Sequence, residues 1–358
     1  MKSKVKIDRV LLVILLEFII IFFAFYNNLC VKTYASNTVS EIVMDAKTNR
    51  ILFENNAYER KFMASTTKIL TALVIIENCN LDDVVTISKD TVGVEGSSIY
   101  LEVGEKLSVK DLLYGLMLRS GNDCAETLAV YCSGSVHDFA KLMNETAKKL
   151  CVKDSNFVNP HGLHDDEHYT TAYDLAIISS YAIKNPIFKE IVSTKSVKIP
   201  FSTRNQSRYL VNKNKLLNQL EGATGIKTGY TKKAGRCLVS SVNRNGQELV
   251  CVVLNCPPMF ERSKNLLNDA CDKYKPYKII ESDYVLDFID VEGCDEKCGI
   301  CVKNDVILPL TAEEKQNLVV KYIYPKIIKT STPKDQEIGR IEFYYKNNLI
   351  FSEKIYTI

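Results

Sequence analysis

The chain reads as an α+β protein: a sheet built from both ends of residues 36–277 with a helical block inserted between, then a small all-β domain over 278–358. Three observations predict this. Strand-like runs stand at 41–53 and again at 234–254, and between them apolar residues recur at spacings of three and four. Beyond Tyr277 the composition shifts to short β-rich runs separated by turns. Hydrophobic residues make up 46% and charged residues 25% of 358, the composition of a globular two-domain chain, which excludes a disordered or fibrous protein.

Residues 1–35 stand apart. Lys2, Lys4, Lys6 and Arg9 precede an apolar run from Val10 to Tyr26, Asn27 and Asn28 close it, and Thr33-Tyr34-Ala35 follows. That is the layout of a secretory signal peptide cleaved after Ala35. The alternative is an uncleaved signal anchor holding the protein at the membrane surface, against which Glu17 argues, because a carboxylate within a membrane span is expensive. On either reading the rest of the chain works at the extracytoplasmic face of the membrane or in the cell wall. The whole chain carries 46 basic and 43 acidic residues, a net charge of +3. Lys2, Lys4, Lys6, Arg9 and Lys32 against Asp8 and Glu17 account for all of that excess, so no nucleic-acid partner is expected.

The elements follow in order. Glu41–Met44 and Ile51–Phe53 flank the polar stretch Asp45–Arg50 as a hairpin. A helix is predicted from Thr66 to Glu77, and others near 109–118, 122–132, 136–149 and 171–184, with Asp111, Asn122, Ser135 and Thr171 as first-turn or capping residues. Strands return at Ala234–Asn243 and Glu248–Leu254 around the turn Asn245-Gly246, and a helix from about Glu261 ends at Tyr274 before Pro276. The terminal β domain is read from Tyr284–Val291, Val306–Leu310, Asn317–Tyr324, Arg340–Tyr345 and Leu349–Tyr356.

Twelve cysteines in an exported chain raise the question of disulfides. Cys79, Cys124, Cys132 and Cys151 fall within or at the ends of helical patterns, and Cys237, Cys251 and Cys256 on or beside strands, which reads as buried free thiols. Cys294, Cys298 and Cys301 have a spacing that suits a metal or cluster, but they sit in an apparent loop of an exported chain, so an incidental group or local disulfide is expected. His161, His164 and His168 lie beside Asp165 and Asp166, yet Pro160 and Gly162 break the helix that would align them. No metal and no cofactor is expected.

The chemistry rests on three short motifs. Ser65-x-x-Lys68 stands at the start of the first apolar helix, where residues three apart share a face and an amine near a helix N-terminus is biased towards its neutral form. A neutral lysine beside a serine can serve as its general base. Ser120-Gly121-Asn122 lies between two helices, and Lys227-Thr228-Gly229 precedes a strand. Alone each is weak: Ser3-x-x-Lys6, Ser241-x-Asn243 and Ser263-x-Asn265 match as well. In this order, each in its proper structural context, they are the motif set of penicillin-interacting acyl-transferases.

With Ala64-Ser65-Thr66-Thr67-Lys68-Ile69-Leu70-Thr71, Arg119-Ser120-Gly121-Asn122-Asp123, Asn159-Pro160-His161-Gly162-Leu163, His168-Tyr169-Thr170-Thr171-Ala172 and Gly225-Ile226-Lys227-Thr228-Gly229-Tyr230-Thr231, the chain resembles the D-alanyl-D-alanine carboxypeptidases among the low-molecular-mass penicillin-binding proteins. Met63 and Cys124 depart from that pattern, where proline and alanine are expected. The resemblance implies a β-lactamase/transpeptidase-like catalytic domain followed by a β-sandwich. It implies peptidoglycan stem peptides ending in D-Ala-D-Ala as substrate, and β-lactams as covalent inhibitors. By the same resemblance Ser65 attacks the carbonyl, Lys68 takes its proton, Ser120 relays a proton to the departing D-alanine and Asn122 holds the substrate amide. Lys227 and Thr228 bind the terminal carboxylate, and the backbone N–H groups of Ser65 and Tyr230 are the oxyanion donors. Arg262 either assists at the carboxylate or is an exposed helix-start arginine. A β-lactamase shares the motifs, but no E-x-x-L-N segment follows the middle one; a non-catalytic wall-binding protein would lack one of the catalytic residues, and all are present.

Overall fold

The computed structural model describes residues 38–358; the leader reading of residues 1–35, with its cleavage point, falls outside them. The first strands are β1 (Ser40–Asp45) and β2 (Ile51–Asn55), followed by a 3-10 turn at Ala64–Thr67 and helix α1 (Lys68–Asn78). A small antiparallel pair, β3 (Val84–Thr86) and β4 (Lys106–Ser108), leads into α2 (Val109–Tyr114), α3 (Asn122–Ser133), α4 (Val136–Lys149) and α5 (Ala172–Ala182). Helix α6 (Pro186–Ser193), the hairpin β5 (Ser196–Phe201) and β6 (Gln206–Val211), and the short α7 (Leu216–Gln219) complete the insertion. The chain then returns as β7 (Ala223–Thr231), β8 (Gly235–Arg244) and β9 (Gln247–Leu254), closed by α8 (Met259–Lys273).

These pieces form one five-stranded antiparallel sheet in the order β2-β1-β9-β8-β7, so strands from the two ends of the region lie side by side and β7 is an edge. Alternation along the strands splits the side chains between two cores. Ile42, Met44, Val239, Val250 and Val252 face the inserted helices, whereas Val43, Leu238, Cys251 and Val253 face Leu266, Leu267 and Ala270 of α8. Asn245 and Gly246, both at positive φ, make the turn between β8 and β9. Ser135 and Thr171 cap α4 and α5 by accepting the backbone N–H groups of Asp138 and Asp174, each at 3.0 Å.

The C-terminal part begins with β10 (Lys275–Ile280), which runs through the boundary expected at Tyr277. It continues with β11 (Asp287–Val291), β12 (Lys297–Cys301), β13 (Val306–Leu310), α9 (Ala312–Gln316), β14 (Val319–Ile323), β15 (Ile327–Ile328), β16 (Glu337–Tyr345) and β17 (Asn348–Thr357). A six-stranded sheet and the β10–β13 pair share a core of Ile300, Leu308, Ile341, Phe343 and Ile355. Residues Lys297–Cys301, expected in a loop, form strand β12 instead. Cys298 and Cys301 are three apart on it, so the pleat sends their side chains to opposite faces.

Arg50 ties this part to the first. Its guanidinium pairs with Glu314, Nη2 to Oε1 at 2.5 Å with both side chains about nine-tenths covered, also donates to the Pro309 carbonyl, and lies over the Tyr274 ring. Arg50→Ala strands the Glu314 carboxylate away from water. We expect it to lower stability by about 3–5 kcal/mol, read as an earlier urea midpoint; an unmoved midpoint would show that the pair contributes nothing net.

Candidate active site

The site is assembled where α1 and α3 begin beside edge strand β7. Ser65 sits in the 3-10 turn that precedes α1, and Lys68, the first residue of α1, is fully buried. Lys68 Nζ lies 3.2 Å from Ser65 Oγ, 2.7 Å from Asn122 Oδ1 and 2.6 Å from the His161 carbonyl oxygen. Burial, with a smaller contribution from the Lys213 ammonium, pushes the Lys68 amine down to about 7. The amine is therefore half neutral near neutral pH.

Ser120 ends a π-helical turn at Gly115–Arg119 and takes the left-handed conformation, φ 67°, with 4% of its surface exposed. Such turns and left-handed non-glycine residues gather at functional positions. Helix α3 starts two residues on, and Asn122 donates through Nδ2 to the Glu95 carbonyl while its Oδ1 takes the Lys68 contact. Asp123 is buried beside it. Its carboxylate accepts from Ser98 Oγ and from the backbone N–H groups of Leu101 and Cys124, which holds the 97–101 loop against the start of α3.

On the other side Lys227 is 1% exposed on β7, with Nζ donating to the Thr228 carbonyl at 2.9 Å. Burial first, then the Lys68 and Lys213 ammoniums, hold its pKa well below the usual lysine range. Thr228 is partly exposed and Tyr230 largely so. Gly229 lies between β7 and the serine turn so closely that a Cβ there would stand 3.1 Å from both Ser65 N and the Met63 carbonyl. Gly162, φ +86°, has no room at all: a Cβ would fall 1.9 Å from the Ala64 carbonyl. That glycine lets the Pro160–Leu163 segment press its His161 carbonyl onto Lys68.

The motif residues Ser65, Lys68 and Asn122 thus share contacts, and Lys68 lies near enough to Lys227 to help lower its pKa. Arg262 is not brought to them. Its guanidinium donates to Glu41 at 2.6 and 2.9 Å and lies over Phe53, on the α8 face of the sheet, which answers its sequence-level alternatives with an ion pair. The three histidines are engaged separately. His161 Nδ1 accepts from the Leu163 N–H, and its Nε2 meets Glu126 at 3.3 Å; His164 meets Asp166 and the edge of Phe62. His168 Nδ1 accepts from the Val158 N–H, so the neutral ring donates through Nε2 to Thr67 Oγ1, whose hydroxyl goes on to the Ala64 carbonyl. Burial pushes His161 down to about 3 and His168 to about 4, so both stay neutral.

Three contributors carried no motif role in the sequence: the His161 carbonyl, Asp123 and Lys213. The last is exposed, donates to Ser97 Oγ at 3.0 Å, and has its pKa lowered by desolvation and by Arg119.

Comparison with known proteins gives the family. Residues 30–257 match the family model described as D-alanyl-D-alanine carboxypeptidase, and residues 274–358 match the C-terminal domain of penicillin-binding protein 5. The D-alanyl-D-alanine carboxypeptidase DacF of Bacillus subtilis is 32% identical over 317 residues, 86% of this chain and 81% of that protein. The D-alanyl-D-alanine carboxypeptidase of Streptomyces sp. K15 is 37% identical over 232 residues, 60% of this chain and 80% of that protein. The solved structure of penicillin binding protein 5 from Haemophilus influenzae superposes with a TM-score of 0.78 at 27% identity, covering 89% of this chain and 96% of that one. The chain belongs to the D-alanyl-D-alanine carboxypeptidase family of serine peptidases.

Proposed function

We propose that this enzyme removes the terminal D-alanine from peptidoglycan stem peptides outside the cytoplasm, through an acyl-enzyme on Ser65. The observation that carries the reading is the surroundings of Lys68 Nζ. Asn122 Oδ1 and the His161 carbonyl can only accept, so they take the two N–H groups of a neutral amine and leave its lone pair for the Ser65 hydroxyl.

Ser65 Oγ attacks the carbonyl carbon between the last two D-alanines as its proton passes to Lys68. The tetrahedral intermediate collapses, its oxyanion held by the backbone N–H groups of Ser65 and Tyr230, and the D-alanine nitrogen leaves with a proton relayed through Ser120. Water then releases the shortened stem from Ser65. Asn122 holds the substrate amide, and Lys227 with Thr228 takes the terminal carboxylate, which makes the activity an exopeptidase. A β-lactam that mimics the stem would acylate the same serine. Shortened stems cannot donate to new cross-links, so the activity bears on wall biogenesis and cell shape. Residues 1–35 supply the export, as a leader cleaved after Ala35.

The test is D-alanine release from a peptide ending in D-Ala-D-Ala, against the same peptide amidated at its C terminus. Release from the free acid alone is expected; equal release from the amide, or none from folded enzyme, would reject the reading. Lys227→Ala should raise KM by about 10–100-fold, the loss of one charge-assisted contact, with a smaller change in thermal midpoint. Unchanged kinetics would remove the carboxylate role.

A further inference from the structure

Helices α1 and α3 start together at the active site, where Lys68 touches Asn122. They are nearly equal in length, 11 and 12 residues, and pack against each other. Their far ends therefore lie together too. Cys79 caps the C-terminus of α1 and Cys132 is the second-last residue of α3. Both are only partly buried, and each thiol lies close enough to the other to shift its ionisation. The neighbouring chain is pinned: Tyr131 donates to Asp83 at 2.5 Å, and the Leu81 and Asp83 carbonyls accept from Lys110 and Val109. The sequence alone read these cysteines as separate core thiols, because nothing in the periodicity shows that two helix ends meet.

We propose that Cys79 and Cys132 form a disulfide in the exported protein, clamping the far ends of the two helices whose near ends hold Lys68 and Asn122. The pair is set up for thiol–disulfide exchange. Its neighbour Cys79 lowers the Cys132 thiol to about 6, and Cys132 in turn raises that of Cys79. Cys132, as the thiolate, attacks one sulfur of a small-molecule or protein disulfide and expels the other as a thiolate. Cys79 then loses its proton, attacks the Cys132 sulfur of the mixed disulfide and expels the second. The protein gives up two hydrogens and the external disulfide becomes two thiols. The export proposed above supplies a compartment in which such a bond persists.

The consequence is mechanical. Sliding α1 along α3 would separate Lys68 from Asn122, and a bond at the opposite ends fixes their register. Closing so long a loop also restricts the unfolded chain, so the oxidised form should melt about 5 °C above the reduced one.

The experiment needs no activity, so it fails or succeeds independently of the acyl-transfer reading. The full chain is incubated with oxidised glutathione, alkylated, and digested without reductant for peptide mapping by mass spectrometry. One linked pair of peptides carrying Cys79 and Cys132 is expected, with the higher midpoint, and both disappear in Cys79→Ser and in Cys132→Ser. Glutathione left standing on Cys132, alkylation of both thiols, or a link from either to a third cysteine would each overturn the proposal. Should a serine variant fail to fold, the wild-type map decides alone.

Discussion

Under benzylpenicillin the wild-type chain gains a single penicilloyl adduct by intact-mass spectrometry, and Ser65→Ala gains none while keeping its fold. The expectation follows from what Ser65 does and does not hold. Its side chain is partly exposed and is hydrogen-bonded to the Lys68 amine at 3.2 Å. Removing the oxygen leaves the turn intact, since Thr66 and Thr67 anchor it through the Met63 and Ala64 carbonyls at 2.6 and 2.8 Å. Loss of a nucleophile that works as a unit with its base removes about 10⁴-fold or more in kcat, because a residual preorganised site cannot substitute for the missing bond. An adduct surviving in the variant would transfer the role to another side chain. No adduct on folded wild-type protein would end the acyl-enzyme reading, and rapid turnover of the antibiotic without accumulation would make the protein a β-lactamase.

Much of this arrangement was legible in the sequence because it is local. The alternation in β8 and β9 with Asn245-Gly246 between them specifies a two-faced hairpin, and the serine–lysine spacing places Ser65 and Lys68 on one helix turn whatever the rest of the chain does. What was hidden depends on contacts distant in sequence or made by backbone. The continuous periodicity over 109–118 gives no sign that the helix switches to a π turn and leaves Ser120 left-handed. The His161 oxygen on Lys68 belongs to a carbonyl, which no residue type announces. Strand β12, where Lys297, Cys298 and Cys301 stand with Gly299 and Ile300 is the one β-branched residue, carries little strand signature and exists because β11 and β17 flank it. Helix α6 was readable and missed: Asn185 caps it and Pro186 opens it. Arg262 looked free to bind substrate because its partner, Glu41, lies 221 residues away.

Lys68→Met should slow acylation of Ser65 by about 10²–10⁴-fold, the usual contribution of a positioned general base, and flatten its pH dependence. In the wild type the reactive form is the neutral amine. With its pKa at about 7, the acylation rate rises with pH below that value and levels above it. The same shift has a thermodynamic signature of fixed sign. The unfolded chain keeps the lysine protonated up to about pH 10.4, whereas the folded protein gives up the proton near 7. Between those limits the unfolded state binds more protons, so folding stability climbs with pH, by about 1.4 kcal/mol per unit for one group. Lys227, shifted in the same direction, adds to the slope. Below pH 7 the penalty from Lys68 is complete and on the order of 5 kcal/mol. Lys68→Met should therefore lose about one proton's worth of the climb between pH 7 and 10, measured by urea unfolding at several pH values. The loss in catalysis and the change in slope have one cause, the desolvation that makes the amine a base. A variant with slowed acylation but an unchanged slope would mean that Lys68 is ordinarily charged and acts on Ser65 only by position. A wild-type rate that is flat across pH 7 would remove the general-base role itself.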